Sequence, residues 1–127
     1  MTTSSSLVTK SLTTKEIECP CCGGVVYNIE FVNLLEVVRQ SVGLPFFYSK
    51  GGFYRCRMFN DTLNNSSKRS QHLLGNACDI TTHNFTAADK WNLVRHAIQV
   101  GLSVGVYSAH IHLDRRKGVP VLFYGSY

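Results

Sequence analysis

No stretch of this chain approaches the roughly eighteen consecutive apolar residues of a transmembrane helix, which excludes a helical membrane span. An apolar signal-peptide block is also missing. Met1 to Thr14 is instead rich in Ser and Thr. It reads as a flexible leader over residues 1–14, followed by a single domain over 15–127. The expectation is a protein that is cytoplasmic as synthesised and needs another route of release to act elsewhere. Internal repeats and low-complexity core segments are absent too. The cysteines do not pair off: there are 5, and an odd count without a secretion signal argues against a disulfide framework. Cys19-Pro20-Cys21-Cys22-Gly23-Gly24 resembles half of a zinc knuckle, but a second Cys-x-x-Cys unit is lacking. Cys56 would join that cluster only in space, so buried free thiols are the expected state.

What is present suits one globular domain. The 127 residues are 44% hydrophobic and 17% charged, enough for a real core. The net charge is +5, with local basic clusters at Lys68, Arg69 and at Arg115, Arg116, Lys117. A solvated surface is the default reading of such clusters, although a basic face also favours approach to a polyanion.

Periodicity assigns the elements. Phe31, Leu34, Leu35, Val38 and Val42 follow i, i+3, i+4, i+7, i+11, the buried face of a helix over Ile29 to Val42 that Gly43 and Pro45 end. Leu44 to Tyr48 is a short strand-type run leading into the turn Ser49-Lys50-Gly51-Gly52. Tyr54 to Leu63 carries a weak helical pattern, and Asn64 to Arg69 reads as a polar loop. Ala77 to Thr81 looks like a strand. Thr86 and Asp89 form a capping-box-like start to a helix that runs to about Val100, with Trp91, Val94 and Ile98 as its buried face and Gly101 as its stop. Val104 to Tyr107, His110 to Asp114 and Val119 to Tyr124 are strand candidates. The fold class is α+β, a small, mainly antiparallel sheet with flanking helices.

Two distant segments carry ionisable groups in a pattern suited to a metal. His72 and Asp79 lie seven apart in Ser70-Gln71-His72-Leu73-Leu74-Gly75-Asn76-Ala77-Cys78-Asp79. A helix would place both on one side after two turns, though Gly75 disfavours it. A loop entering a strand also brings His72 over the strand start, with Ala77 and Asp79 on one face. Small residues at Gly75 and Ala77 would let the backbone pass close to a metal site. His110, His112 and Asp114 alternate along a strand and share a face. Two imidazoles and a carboxylate suit a borderline cation such as zinc, and an open fourth position is the layout of a hydrolytic site. His83 and His96 read as solvent-facing.

Ser70, His72, Gly75, Ala77 and Asp79 together resemble the signature of the zinc D-Ala-D-Ala carboxypeptidase family. That family includes vancomycin-resistance dipeptidases and phage endolysins that cut peptidoglycan peptides, and the hedgehog signalling domain is similar to it in fold. The resemblance covers most of the chain. Cys19-Pro20-Cys21-Cys22-Gly23 is similar to the opening segment of a carboxypeptidase-like subgroup, and Leu34 to Arg39 to its first helix. Ser49 to Cys56 resembles that subgroup's Ser-Gly-Tyr-Arg-Cys turn with two residues inserted, and Asn60 follows. The resemblance implies a hedgehog-like or D,D-peptidase-like fold. It implies Zn2+ held by His72, Asp79 and His112, with Arg55 and Ser70 binding substrate. It also implies a metallopeptidase acting on peptidoglycan stem peptides as a carboxypeptidase or endopeptidase. A chain without a cell-wall anchor suits a phage endolysin that acts on the wall after release, with a bacterial enzyme trimmed of its signal as the alternative. A monomer is expected.

One departure bears on catalysis. Many members carry a Glu or Asp three residues before the last zinc histidine, and some carry it six before; here those positions are Ala109 and Val106. His110 and Asp114 are the candidates for the proton-transfer role, with the lean toward His110. Asp114 could instead orient His112. Similar His-x-Asp strands occur in the subgroup, so the missing acid does not by itself mean inactivity. Two other classes of function are set beside the enzyme. One is a zinc-bound, non-catalytic binding domain of the same fold. The other is a basic zinc-ribbon-like nucleic-acid binder, which lacks both a second cysteine pair and a stacking-aromatic motif; specific nucleic-acid binding is not expected.

Overall fold

The structure is a computed structural model that describes residues 5–63 and 70–125. The polar loop Asn64 to Arg69, with the basic pair Lys68 and Arg69, lies outside the described residues.

The first long helix forms where its apolar spacing predicts. Helix α2 spans Ile29–Val42, after a four-residue helix α1, Thr14–Ile17. The Asn28 side chain caps α2 by accepting a hydrogen bond from the Phe31 amide at 2.9 Å. Gly43 closes it at φ 75°, a left-handed conformation that glycine adopts without a Cβ penalty. Phe31, Val32, Leu35 and Val38 are buried, with Leu34 and Val42 partly so.

Helix α3 (Arg57–Thr62) forms inside the weakly helical stretch. Helix α4 spans Ala87–Gln99 and opens on the expected box: the Thr86 amide donates to Asp89 and the Asp89 amide to the Thr86 hydroxyl. Its buried face differs from expectation. Leu93 and Ala97 are buried, whereas Trp91 is 66% exposed and Ile98 49% exposed; of the expected residues only Val94 packs partly against the core. The helix lies against α2 and the sheet. Ala97, four residues after Leu93, presents a small side chain at that contact. Hydrophobicity alone pointed to the bulkier residues on another side of the helix.

Six strands are present among the described residues. β1 (Leu7–Thr9) and β2 (Leu12–Thr13) form a small antiparallel hairpin. β3 (Ala77–Thr81), β4 (Ser103–Val106), β5 (His110–Asp114) and β6 (Leu122–Tyr124) form one sheet in the order β3-β5-β4-β6. Its pairs are antiparallel except β4–β6, which is parallel. The fold is thus α+β with a small, mainly antiparallel sheet, as the element order implied. Cys78, Ile80, Val104, Ile111 and Leu113 enter one core with the apolar faces of α2 and α4. By strand alternation, Asp79, His112 and Asp114 stand on the opposite face.

Leu44 to Tyr48 does not become a full strand. Tyr48 makes a single bridge to Ile80, the Thr81 amide donates to the Phe47 carbonyl, and the Ser49 amide donates to the Asp79 carbonyl. The Ser49–Gly52 turn cuts the pairing short.

The hairpin falls within residues 1–14, the stretch read as a leader, so from Leu7 onward that stretch is built into the fold. Leu12 is buried, and the carboxylate of Glu36 on α2 accepts from Thr9 Oγ1 (2.7 Å), the Ser11 amide (2.7 Å) and Ser11 Oγ (2.9 Å). The hydroxyls that suggested a flexible segment are the donors that fasten it. The cysteines also depart from expectation: Cys19 and Cys78 are buried, but Cys21 and Cys22 are exposed and Cys56 is half-buried. Among the described residues, no helix is long and apolar enough to cross a membrane.

Candidate metal centre

Strand register creates the centre. Asp79 on β3 lies directly opposite His112 on β5, so their side chains project from the same face as close neighbours. Asp79 Oδ1 is 2.9 Å from His112 Nδ1. His72 arrives from the 3₁₀ turn Gln71–Leu74 just before β3. Ser70 caps that turn by accepting from the His72 amide at 3.2 Å. Gly75 ends it at φ 63°, and a Cβ there would collide with the Val26 carbonyl. The close approach that requires glycine is therefore to the Val26 backbone, and two residues on the Asn28 amide donates to the Gly75 carbonyl. The turn, rather than a continuous helix, brings His72 Nε2 to 3.4 Å from Asp79 Oδ2.

The three side chains fit a metal. His72 Nδ1 lies 2.7 Å from the Phe53 carbonyl, an acceptor only, so Nδ1 carries the proton and the Nε2 lone pair faces Asp79. One ligand atom from each of His72, Asp79 and His112 lies within 4.8 Å of the others. Donors around a tetrahedral zinc at about 2.1 Å stand roughly 3.4 Å apart, close to the 2.9 and 3.4 Å separations here.

Around these donors the side chains are themselves fixed. Asp114, fully buried, takes a 2.7 Å hydrogen bond from His112 Nε2. This leaves His112 Nδ1 as the nitrogen turned toward Asp79. Arg116 holds Asp114 in turn, its amide and Nε donating to Oδ1 (3.0 and 2.9 Å) and its terminal nitrogen to Oδ2 (2.6 Å). Phe123 packs beside His112 and under the Arg116 guanidinium. It can lie there because Gly105, opposite His112 on β4, has no side chain; a Cβ would strike the Phe123 ring.

Electrostatics follow from this packing. Burial alone would raise the pKa of Asp79, but hydrogen bonds and charge from His112 and His72 outweigh it and hold the carboxyl well below its usual range. Asp114 behaves alike: burial opposes ionisation, yet His112 and Arg116 pull it down to about 2. Burial disfavours a charged His112, but its bonds to Asp114 and Asp79 push it up to about 9. Two ionised carboxylates flanking one imidazole make a locus that attracts positive charge.

His110 sits at the rim. Its Nε2 is 4.0 Å from Asp79 Oδ1, and Tyr107 stacks on its ring at 4.4 Å between centroids. Burial lowers its pKa, with the Asp79 charge opposing.

Arg55 and Ser70 meet beside the centre. Arg55 donates to Ser70 Oγ at 3.2 Å and to Asn60 Oδ1 at 3.0 Å, and its amide donates to the His72 carbonyl at 3.3 Å. Asn60, buried on α3, thereby sets the direction of the guanidinium. Ser70 and Arg116 also border a cleft of about 780 Å³ whose other lining residues include Arg57, Arg115 and Lys117. Arg115 is additionally paired with Glu30.

All seven sequence-derived site residues therefore fall in one region of the molecule: His72, Asp79 and His112 converge, Asp114 and His110 flank them, and Arg55 and Ser70 contact each other nearby. Sequence reasoning missed Phe53, Asn76 and Phe123. Phe53 acts through its backbone carbonyl, which leaves no trace in residue type. Asn76, which donates to Gln71 Oε1 and to the Arg115 carbonyl, joins the 3₁₀ turn to the end of β5. Its place inside the motif was the available signal. Phe123 was read only as part of a strand. His83 is exposed and His96 is partly exposed on α4, and neither belongs to the group of ligands.

A family model described as Peptidase M15 matches residues 6–114, most of the chain, including His72, Asp79, His112 and Asp114. No curated protein and no solved structure matches the chain.

Proposed function

The chain belongs to the peptidase M15 family, and from that premise we propose a zinc-dependent peptidase that cleaves peptidoglycan stem peptides. The observation that carries this reading is the convergence of His72, Asp79 and His112 beside an oriented arginine. His72 through Nε2, Asp79 through a carboxylate oxygen and His112 through Nδ1 would hold the ion. Zinc in such a site polarises a scissile carbonyl and lowers the pKa of a water. Arg55 offers a guanidinium fork to a substrate carboxylate or a developing oxyanion, and Ser70 hydrogen-bonds the peptide. His110, half-buried at the rim with a depressed pKa, is neutral near pH 7 and accepts a proton. Asp114, locked between His112 and Arg116, orients His112. The basic cleft beside Ser70 suits the acidic groups of stem peptides. Release as a phage endolysin is the setting this reading favours.

Muropeptide digestion with and without a chelator tests it. Loss of a C-terminal residue identifies a carboxypeptidase, and splitting of cross-linked dimers an endopeptidase. No chelator-sensitive cleavage of any stem peptide would count against the proposal. Ala109 and Val106, which stand where relatives keep an acid, favour a second reading: a zinc-bound, non-catalytic binding domain. In that case His110→Ala leaves function unchanged, whereas lost turnover with zinc retained would sink it.

A further inference from the structure

Three cysteines outside the centre described above gather their sulfurs at one point. Cys19 follows α1, Cys22 lies three residues on, and Cys56 precedes α3, yet their Sγ atoms all lie within 4.8 Å of one another. Cys21, between Cys19 and Cys22 in the chain, neighbours Cys56 but stands outside this close group of three. The local backbone has the shape of a metal knuckle. The Gly23 amide donates to the Cys19 carbonyl, the Cys19 amide donates to the Gly24 carbonyl, and Gly23 turns the chain at φ 71°. Two backbone amides point at sulfur: Gly24 to Cys22 Sγ at 3.3 Å and Cys56 to Cys19 Sγ at 3.3 Å. Amide donors to sulfur favour the thiolate, the form that binds soft cations.

We propose that Cys19, Cys22 and Cys56, with Cys21 in the fourth position, hold a second, structural zinc-class ion. The donor set is all sulfur, which selects zinc over hard cations, and four thiolates close the coordination sphere. Each thiol loses a proton to solvent as the ion binds, and no electron is transferred. The half-knuckle legible in the sequence is completed by a cysteine from a distant segment rather than by a second Cys-x-x-Cys.

The position gives the ion a task. Three consecutive amides, Tyr54, Arg55 and Cys56, bond respectively to the Ile17 carbonyl, the His72 carbonyl and Cys19 Sγ. The cysteine clip thus fixes the extended segment that carries Arg55 between the N-terminal segment and the His72 turn. Unlike the centre on the sheet, it needs no open position.

Zinc-edge X-ray absorption of the intact chain, purified under reducing conditions, tests the inference independently of any activity. Sulfur scatterers at about 2.3 Å are expected, beside the nitrogen and oxygen scatterers of the His72 centre, with two zinc ions per chain. In a His72→Ala chain the sulfur shell should remain and become dominant. A Cys22→Ser, Cys56→Ser double variant should lose the thiolate-to-cobalt charge-transfer band that the cobalt-loaded intact chain displays. A spectrum of the intact chain with nitrogen and oxygen scatterers alone would overturn the proposal whether or not the double variant folds. So would a Cys22–Cys56 disulfide found by mass spectrometry in the reduced preparation.

Discussion

Asp114 is the residue whose role depends most on its neighbours. Spacing placed it on the face of His112 but left two roles open, proton acceptor or orienting partner. Its burial and the three hydrogen bonds from Arg116 make it a fixed acceptor for His112 Nε2. Asp114→Asn should lower zinc affinity about 10–100-fold, measured by chelator competition, with His112 left free to rotate; unchanged affinity would contradict the orienting role. Arg55 presents a planar fork that lysine cannot copy. Arg55→Lys should lower kcat/KM on a stem peptide by about 10²-fold while zinc content stays constant. Ser70, His72 and Asp79 were legible because the motif fixes several types at once. The Phe53 carbonyl that sets the His72 tautomer was not, since every residue carries one.

At the scale of elements, sequence pattern located α2, β3 and β5 to their observed ends and α4 to within a residue. It failed on which side of α4 is buried, because contact with α2 selected the small Ala97 and neighbouring Leu93 over Trp91 and Ile98. Leu93→Ala should cost about 2–5 kcal/mol, whereas Trp91→Ala should change stability by no more than about 0.5 kcal/mol; urea unfolding of both variants checks the pair. The N-terminal hairpin was invisible for a different reason. Its anchor is Glu36, twenty-five residues after Ser11, and such a tether has no local periodicity. Burial opposes ionisation of Glu36, but the Thr9, Gln40 and Ser11 donors prevail and bring its pKa from 4.5 to about 2. The folded-state pKa lies below the unfolded one, so the tether contributes fully above about pH 4.5 and is lost as pH falls toward 2. Thermal unfolding should show intact chain and Glu36→Gln diverging above pH 4.5 and converging near pH 2; a gap independent of pH would refute the tether.

For the whole molecule, the sheet divides the labour. One face, with Ile80, Val104, Ile111 and Leu113, closes the core. The other carries the carboxylates and imidazoles of the centre. The sequence indicated this division through alternation along His110 to Asp114, but the pairing of Asp79 with His112 is a matter of register, which only the folded sheet defines. The same holds for Cys56, whose partners lie over thirty residues away. The proposed peptidase activity requires the centre to do chemistry once loaded. The direct measurement is hydrolysis of a defined stem peptide by intact chain stripped of metal and then restored with zinc, beside a His72→Ala chain treated identically. A zinc peptidase shows turnover that vanishes on stripping, returns once zinc refills the His72 centre, and is absent from the variant. Turnover that survives stripping, or persists in His72→Ala, would contradict the proposed activity.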